Sequence, residues 1–261
     1  MSKRRVVVTG MGVLAPKSIG LIEYCNLLKS GKTAISYIEK MRDMGFRSHV
    51  GGMVELSDEY IHKFISNSDL KRMSETMIYG LLASYECATD AGYNLEKLTS
   101  KDGEPLWDTG CILGTCCNGI ELLVEDIGPN ILKKKIRKLG ISAIEKTMTS
   151  GVSAKVAGSF GLGNKVSTNS SACSTGGEAV LDGYFHILSG RADAMYCGGA
   201  DGGAPYTWTG FDAMRMLTSG FNDNPHMASR PFCSTSHNFV AGSGAAVLHI
   251  ETLERAQNRG A

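Results

Sequence analysis

Long apolar runs are missing from this 261-residue sequence, and none approaches the ~20 residues that a membrane-crossing helix needs. An excess of one charge is missing too. The 27 Lys and Arg against 26 Asp and Glu leave a net charge of +1, which argues against bulk nucleic-acid binding and leaves room only for a local basic patch. The opening MSKRRVVVTG has basic residues but no apolar stretch before a cleavage site, so it does not read as a secretory signal. The eight cysteines (Cys25, Cys87, Cys111, Cys116, Cys117, Cys173, Cys197 and Cys233) contain no Cys-x-x-Cys pair and no regular framework. Free thiols in a reducing cytoplasm are therefore expected rather than disulfides. There is no GxxxxGK[ST], no HExxH and no GxGxxG after a strand, so neither metal nor cofactor is expected. Repeats, low-complexity tracts and obvious linkers are absent as well.

Glycine is plentiful instead. The 32 glycines cluster as GMG, GG, GLG and GSG beside apolar, strand-like segments, which marks tight turns and close approaches between packed layers. Arg4–Thr9 reads as a buried strand, and Ile22–Leu28 has helical spacing. Ser68 or Asp69 is placed to cap a long helix through about Ala91, with Met73, Met77, Leu81, Ser84 and Ala88 on one face. Further strands are expected at Cys111–Leu113, Lys165–Thr168, Ala194–Gly198 and Ala245–Ile250, and helices at Ser150–Gly161 and from about Cys173 to Ser189. The basic stretch Lys133–Lys138 reads as a solvated helix face. Alternating helices and β-branched strands imply an α/β fold with a mixed, mostly buried sheet between helices.

Cys173 lies where a strand (KVSTN) turns into a helix (STGGEAVLDGYFHIL), the arrangement of a nucleophile elbow. A helix N-terminus carries a partial positive charge of ~0.5 and favours the thiolate, which is the attacking species. Small neighbours, Ser171, Ala172, Ser174, Thr175, Gly176 and Gly177, leave room for a bulky thioester and for a backbone N–H to face its oxyanion. On this local pattern alone, a nucleophile and a small buried core residue are both open readings.

Several motifs in order carry a resemblance over the whole chain. RRVVVTGMGVLAP, STNSSACSTGGEAV, RADAMYCGGAD, NDNPHMASRPF and FVAGSGAAVLHIETLERAQNRGA together resemble the N-terminal half of elongating β-ketoacyl-acyl-carrier-protein synthases. The resemblance implies a thiolase-like fold of two similar α/β halves, with residues 1–261 forming the nucleophile-bearing one. It implies that Cys173 accepts an acyl group from an acyl carrier protein, after which a malonyl thioester loses CO2 and attacks that acyl group. It further implies no cofactor, a Cys173 backbone N–H in the oxyanion hole, and assembly as a homodimer or as a heterodimer with a synthase-like chain.

Other roles follow by the same route. Cys117, in the loop GTCCNGIE, matches the position that gates the acyl pocket, although filling space is an equal reading. Lys71, Arg72 and Arg215 match positions near the family's tunnel entrance and are candidates for docking the acidic carrier protein. The motifs that carry the family's two catalytic histidines, of the HGTGT and GFGGHN kind, do not occur here. His49, His62, His186, His226, His237 and His249 sit in other contexts and are expected to be structural or exposed. Cys233, Ser236, His237, Asn238 and Ser243 stand in a segment that is acidic in relatives, which puts ordinary activity or substrate range in doubt. An alternative reading is a non-catalytic partner of a condensing enzyme, akin to a chain-length factor; such partners usually lack the nucleophile that is present here.

Overall fold

Alternation of side chains along the strands dictates a layered architecture, and a computed structural model shows it for residues 4–98 and 103–261. The described residues form β1 (Val6–Ala15), β2 (Ser18–Ile19), β3 (Ser36–Tyr37), β4 (Val50–Gly52), β5 (Thr109–Gly114), β6 (Val166–Ser167), β7 (Ala194–Asp201), β8 (Ala241–Gly242) and β9 (Gly244–Thr252). Six of them make the main sheet in the order β2-β1-β9-β7-β5-β6; β3, β4 and β8 make a small second sheet. β6, β5 and β7 run parallel, and β9 runs antiparallel to both β7 and β1. Five helices position the rest: α1 (Leu21–Ser30), α2 (Glu75–Asp90), α3 (Gly151–Phe160), α4 (Thr175–Leu188) and α5 (Leu253–Arg259).

Every residue of β5 is buried. Its Cys111 and Leu113 join a core with Met77 and Leu81 of α2 and Val152 and Val156 of α3. Ile112, pointing the other way, packs with Ala179 and Ile187 of α4. Helices therefore cover both faces of the sheet, as the sequence implied. Glycines set the spacing where α2 crosses β1. A methyl built on Gly12 would sit 1.9 Å from the Ala83 carbonyl oxygen, so any side chain there would push the layers apart.

Three sequence expectations need correction. β1 runs on to Ala15 and is only partly buried, with Val8 and Met11 exposed. The long helix starts at Glu75, not near Ser68: the Ser74 hydroxyl accepts from the Met77 N–H, while Ser66 caps a separate short helix over Asn67–Leu70. Ser68 and Asp69 lie inside that short helix, so neither was free to cap the long one. Its expected apolar face is buried as read. Residues 133–138 form a turn through Lys134, at φ 57°, and one 3-10 turn over Ile136–Lys138, exposed throughout but not a regular helix face.

The far end of β9 holds a buried polar network. Glu251, fully buried, receives Arg259 through two nitrogens and the Thr9 hydroxyl at 2.6 Å. Because Thr9 spends its proton on Glu251, it accepts from Nδ1–H of His249 at 2.9 Å, which fixes the neutral tautomer of that ring. Burial, only partly opposed by Glu251, lowers the His249 pKa from 6.5 to about 4. Between those values the unfolded chain binds a proton that the folded chain refuses, so stability falls as pH falls. Urea denaturation should show this as a slope of up to about 1.4 kcal/mol per pH unit between pH 6.5 and 4. A midpoint that stays flat from pH 6.5 to 5 would contradict the assignment.

Candidate active site

The chain leaves β6 at Ser167 and reaches α4 through a 3-10 turn over Ala172–Ser174, which puts Cys173 on the turn itself. Ala172 takes a left-handed φ of 52°. That conformation costs a non-glycine residue about 1–2 kcal/mol, and a methyl is the smallest side chain that still bears it. Thr175 holds the turn closed. Its hydroxyl accepts from the Ser171 N–H at 2.8 Å and donates to the Ala172 carbonyl at 2.5 Å. Asn169 adds a side-chain N–H to the Thr175 carbonyl at 2.9 Å, and its own carbonyl accepts from the Thr115 N–H at 3.2 Å.

Close backbone packing completes the elbow. A methyl on Gly114 would fall 2.1 Å from Thr175 Cγ2, and one on Gly199 would fall 3.2 Å from Gly176 Cα. The first turn of α4 thus rests directly on the carboxyl ends of β5 and β7. In this setting the Cys173 side chain is exposed. Its N–H has no hydrogen-bond acceptor among the described residues and belongs to the unpaired donors that open a helix. A thiol beside such donors can attack a carbonyl and have the resulting oxyanion met by backbone N–H groups.

Beside it runs the loop after β5. Cys116 and Cys117 are both exposed. Asp201, at the end of β7, anchors that loop by accepting from the Cys116 N–H and the Thr115 hydroxyl, each at 3.1 Å. Burial raises the Asp201 carboxyl above its ordinary range. Asn118 ties the loop's other end to the carbonyls of Lys146 and Met148. Neither Asn169 nor Asp201 was singled out from sequence. Asp201 ends the RADAMYCGGAD motif and Asn169 lies within STNSSACSTGGEAV, and those positions are their signal in the sequence.

The remaining sequence candidates are dispersed. Lys71 is exposed in the turn before α2, and Arg72 is ion-paired with Glu145 at 3.1 Å. Arg215 is exposed, with its carbonyl accepting from Asn238. Four of the histidines make hydrogen bonds away from Cys173: His186 meets Asn164, His49 meets Phe46, His62 meets Ile65, and His249 belongs to the buried network. Ser243 is buried and accepts from the Val54 N–H, a bracing role. A cleft of about 810 Å³ includes Arg4, Asp108, Asp193 and Arg255 in its lining and lies at the opposite end of the sheet. Its charges pair with one another, as in Arg4–Asp193 and Arg255–Asp108.

A family profile described as "Beta-ketoacyl synthase, N-terminal domain" matches residues 3–256. The chain belongs to that family. This synthase domain is 34% identical to the "Putative polyketide beta-ketoacyl synthase 1" of Streptomyces halstedii over 99% of its own length and 60% of that protein. It is 31% identical to the "3-oxoacyl-[acyl-carrier-protein] synthase 2" of Vibrio cholerae serotype O1, over 100% of this chain and 61% of the relative. The domain therefore spans about 60% of these curated relatives. A β-ketoacyl synthase from Burkholderia phymatum superposes with a TM-score of 0.86 at 23% identity, covering 99% of this chain and 61% of that one, and confirms the fold. The ketosynthase complex titled AntDE:AntF gives a TM-score of 0.81 at 27% identity over 100% of this chain and 61% of its own.

The clamp makes a direct prediction. Thr175→Val leaves the Ser171 N–H unpaired and removes the hydroxyl donor from the Ala172 carbonyl, which keeps the Thr175 N–H, and should cost about 1–3 kcal/mol of stability. It should also slow alkylation of Cys173 by iodoacetamide, followed by peptide mass, while Thr175→Ser retains both. Equal stability and equal alkylation in the valine variant would show that Thr175 does not hold the elbow.

Proposed function

We propose that this domain carries out the acyl-accepting half of a decarboxylative Claisen condensation in fatty acid or polyketide synthesis. The observation that carries the reading is an exposed thiol on a strained turn at the head of α4, with an unpaired N–H beside it, in a chain of β-ketoacyl synthase membership. The Cys173 thiolate adds to the carbonyl of an acyl thioester, and its own N–H stabilises the oxyanion. The tetrahedral adduct expels the carrier's pantetheine thiolate, which takes up a proton, and leaves the acyl group on Cys173. A malonyl thioester then loses CO2, its carbanion equivalent attacks the acyl carbonyl, and the Cys173 thiolate departs.

That second step needs neutral imidazoles against the malonyl carbonyl, which the six histidines here do not supply. We assign it to a further portion of synthase structure. The exposed side chains on the α4 side of the sheet, Met11, Leu181 and Phe185, at 42%, 51% and 54% exposure, are suited to be covered by it. The same reading makes the domain's partners an acyl carrier protein and a second synthase-like chain in a homo- or heterodimer. The neighbours titled as an acyl-carrier-protein complex and as a ketosynthase/chain length factor support this choice. Lys71 and Arg215, both exposed, are the docking charges; Arg72 contributes less, because Glu145 already offsets it. Cys117 faces the acyl chain as its gate. Eight unpaired thiols suit a reducing cytoplasm. Retention of Cys173 favours a nucleophilic subunit over a non-catalytic partner.

Exposure to an acyl-carrier-protein thioester should increase the intact mass by one acyl group, and Cys173→Ala should abolish the gain. Lys71→Glu and Arg215→Glu should slow the transfer at low salt. Acyl transfer that persists in Cys173→Ala would overturn the reading.

A further inference from the structure

Cys173 shares its rim with a second thiol. The segments around the two are laced together: Thr115 donates to Asn169, Gly114 abuts Thr175, and Thr175 is bonded to both Ser171 and Ala172. Cys116 follows Thr115 directly, its N–H pinned to Asp201 at 3.1 Å, and its thiol is exposed like that of Cys173. Cys117 is exposed on the same loop, and the cysteines elsewhere differ. Cys87, Cys111 and Cys197 are fully buried, and burial raises each thiol well out of the reactive range. Cys233 lies on a separate loop, bonded to Arg230 and Thr235. Burial, and next Asp201, raise the Cys116 thiol as well.

We propose that Cys116 is the resolving thiol of Cys173, and that a hydroperoxide converts the two into an intramolecular disulfide. The balance is simple. The Cys173 thiolate attacks one peroxide oxygen and the O–O bond breaks, giving a sulfenic acid and water or an alcohol. The Cys116 thiolate attacks that sulfur, and the displaced hydroxide leaves as water. The pair loses two hydrogens and the peroxide is reduced. Bridging requires Cα atoms roughly 4.4–6.8 Å apart. The consequence for catalysis rests on Cys173 being the acyl acceptor: the disulfide blocks acylation while sparing the nucleophile from irreversible oxidation. A thiol reductant restores it.

Titration of the whole chain with hydrogen peroxide, read by intact mass and non-reducing peptide mapping, tests this. The expected result is the loss of two hydrogens and a peptide linking Cys116 to Cys173, reversed by dithiothreitol with recovery of iodoacetamide labelling. In Cys116→Ser, Cys173 should advance to sulfinic acid and resist dithiothreitol; Cys117→Ser should keep the link. Sulfinic acid at Cys173 of the unmodified chain without any link, or a link to Cys173 that survives in Cys116→Ser, would overturn the proposal. A disulfide that forms in a chain whose reduced form accepts no acyl group would refute the acyltransfer reading and leave this inference standing.

Discussion

The near-contact between the first turn of α4 and the ends of β5 and β7 is the constraint on which the site depends. Gly114, Gly176 and Gly199 allow it, and a side chain at Gly114 would collide with Thr175. Farther along α4, a methyl on Gly183 would meet Cys197 Sγ at 2.2 Å, so the helix lies against the sheet for most of its length. Packing this tight fixes the direction of α4, and therefore the place where its unpaired N–H groups emerge. Cys173 takes its position from these backbone contacts together with the Thr175 hydrogen bonds.

That arrangement also explains the strain. To enter α4 from β6 within a few residues, the chain must take a left-handed step, and it takes that step at Ala172. The Thr175 clamp and the Asn169 contacts offset the cost locally. Helices on the opposite face hold the sheet from behind: α2 and α3 bury Leu113 and Cys111, and Ser153 of α3 accepts from the Leu113 N–H at 2.9 Å. The strand that presents Gly114 is thereby fixed from its other side.

Much of this was legible in the sequence. Cys173, between a β-branched strand and a small-residue helix start, announced the elbow, and β5, β7, β9, α3 and α4 fall close to the segments read for them. The start of α2 did not, because three serines (Ser66, Ser68 and Ser74) compete as caps and only tertiary contact with Asn118 singles out Ser74. Asp201 acts on a loop distant in sequence, and no local pattern reveals such a partner. The 133–138 stretch has the composition of a helix face, but Lys134 adopts a left-handed conformation that breaks it. Family resemblance supplied what spacing could not, namely the acyl carrier, the malonyl donor and the docking positions.

The account stands on Cys173 meeting the arm of a carrier protein. The most direct test uses an acyl carrier protein whose pantetheine arm ends in a thiol-reactive electrophile, followed by peptide mapping of the covalent complex. A single cross-link to the peptide bearing Cys173, absent from Cys173→Ser, is the predicted result. Cross-linking that falls instead on Cys233 or Cys25, or that is unchanged in Cys173→Ser, would contradict it.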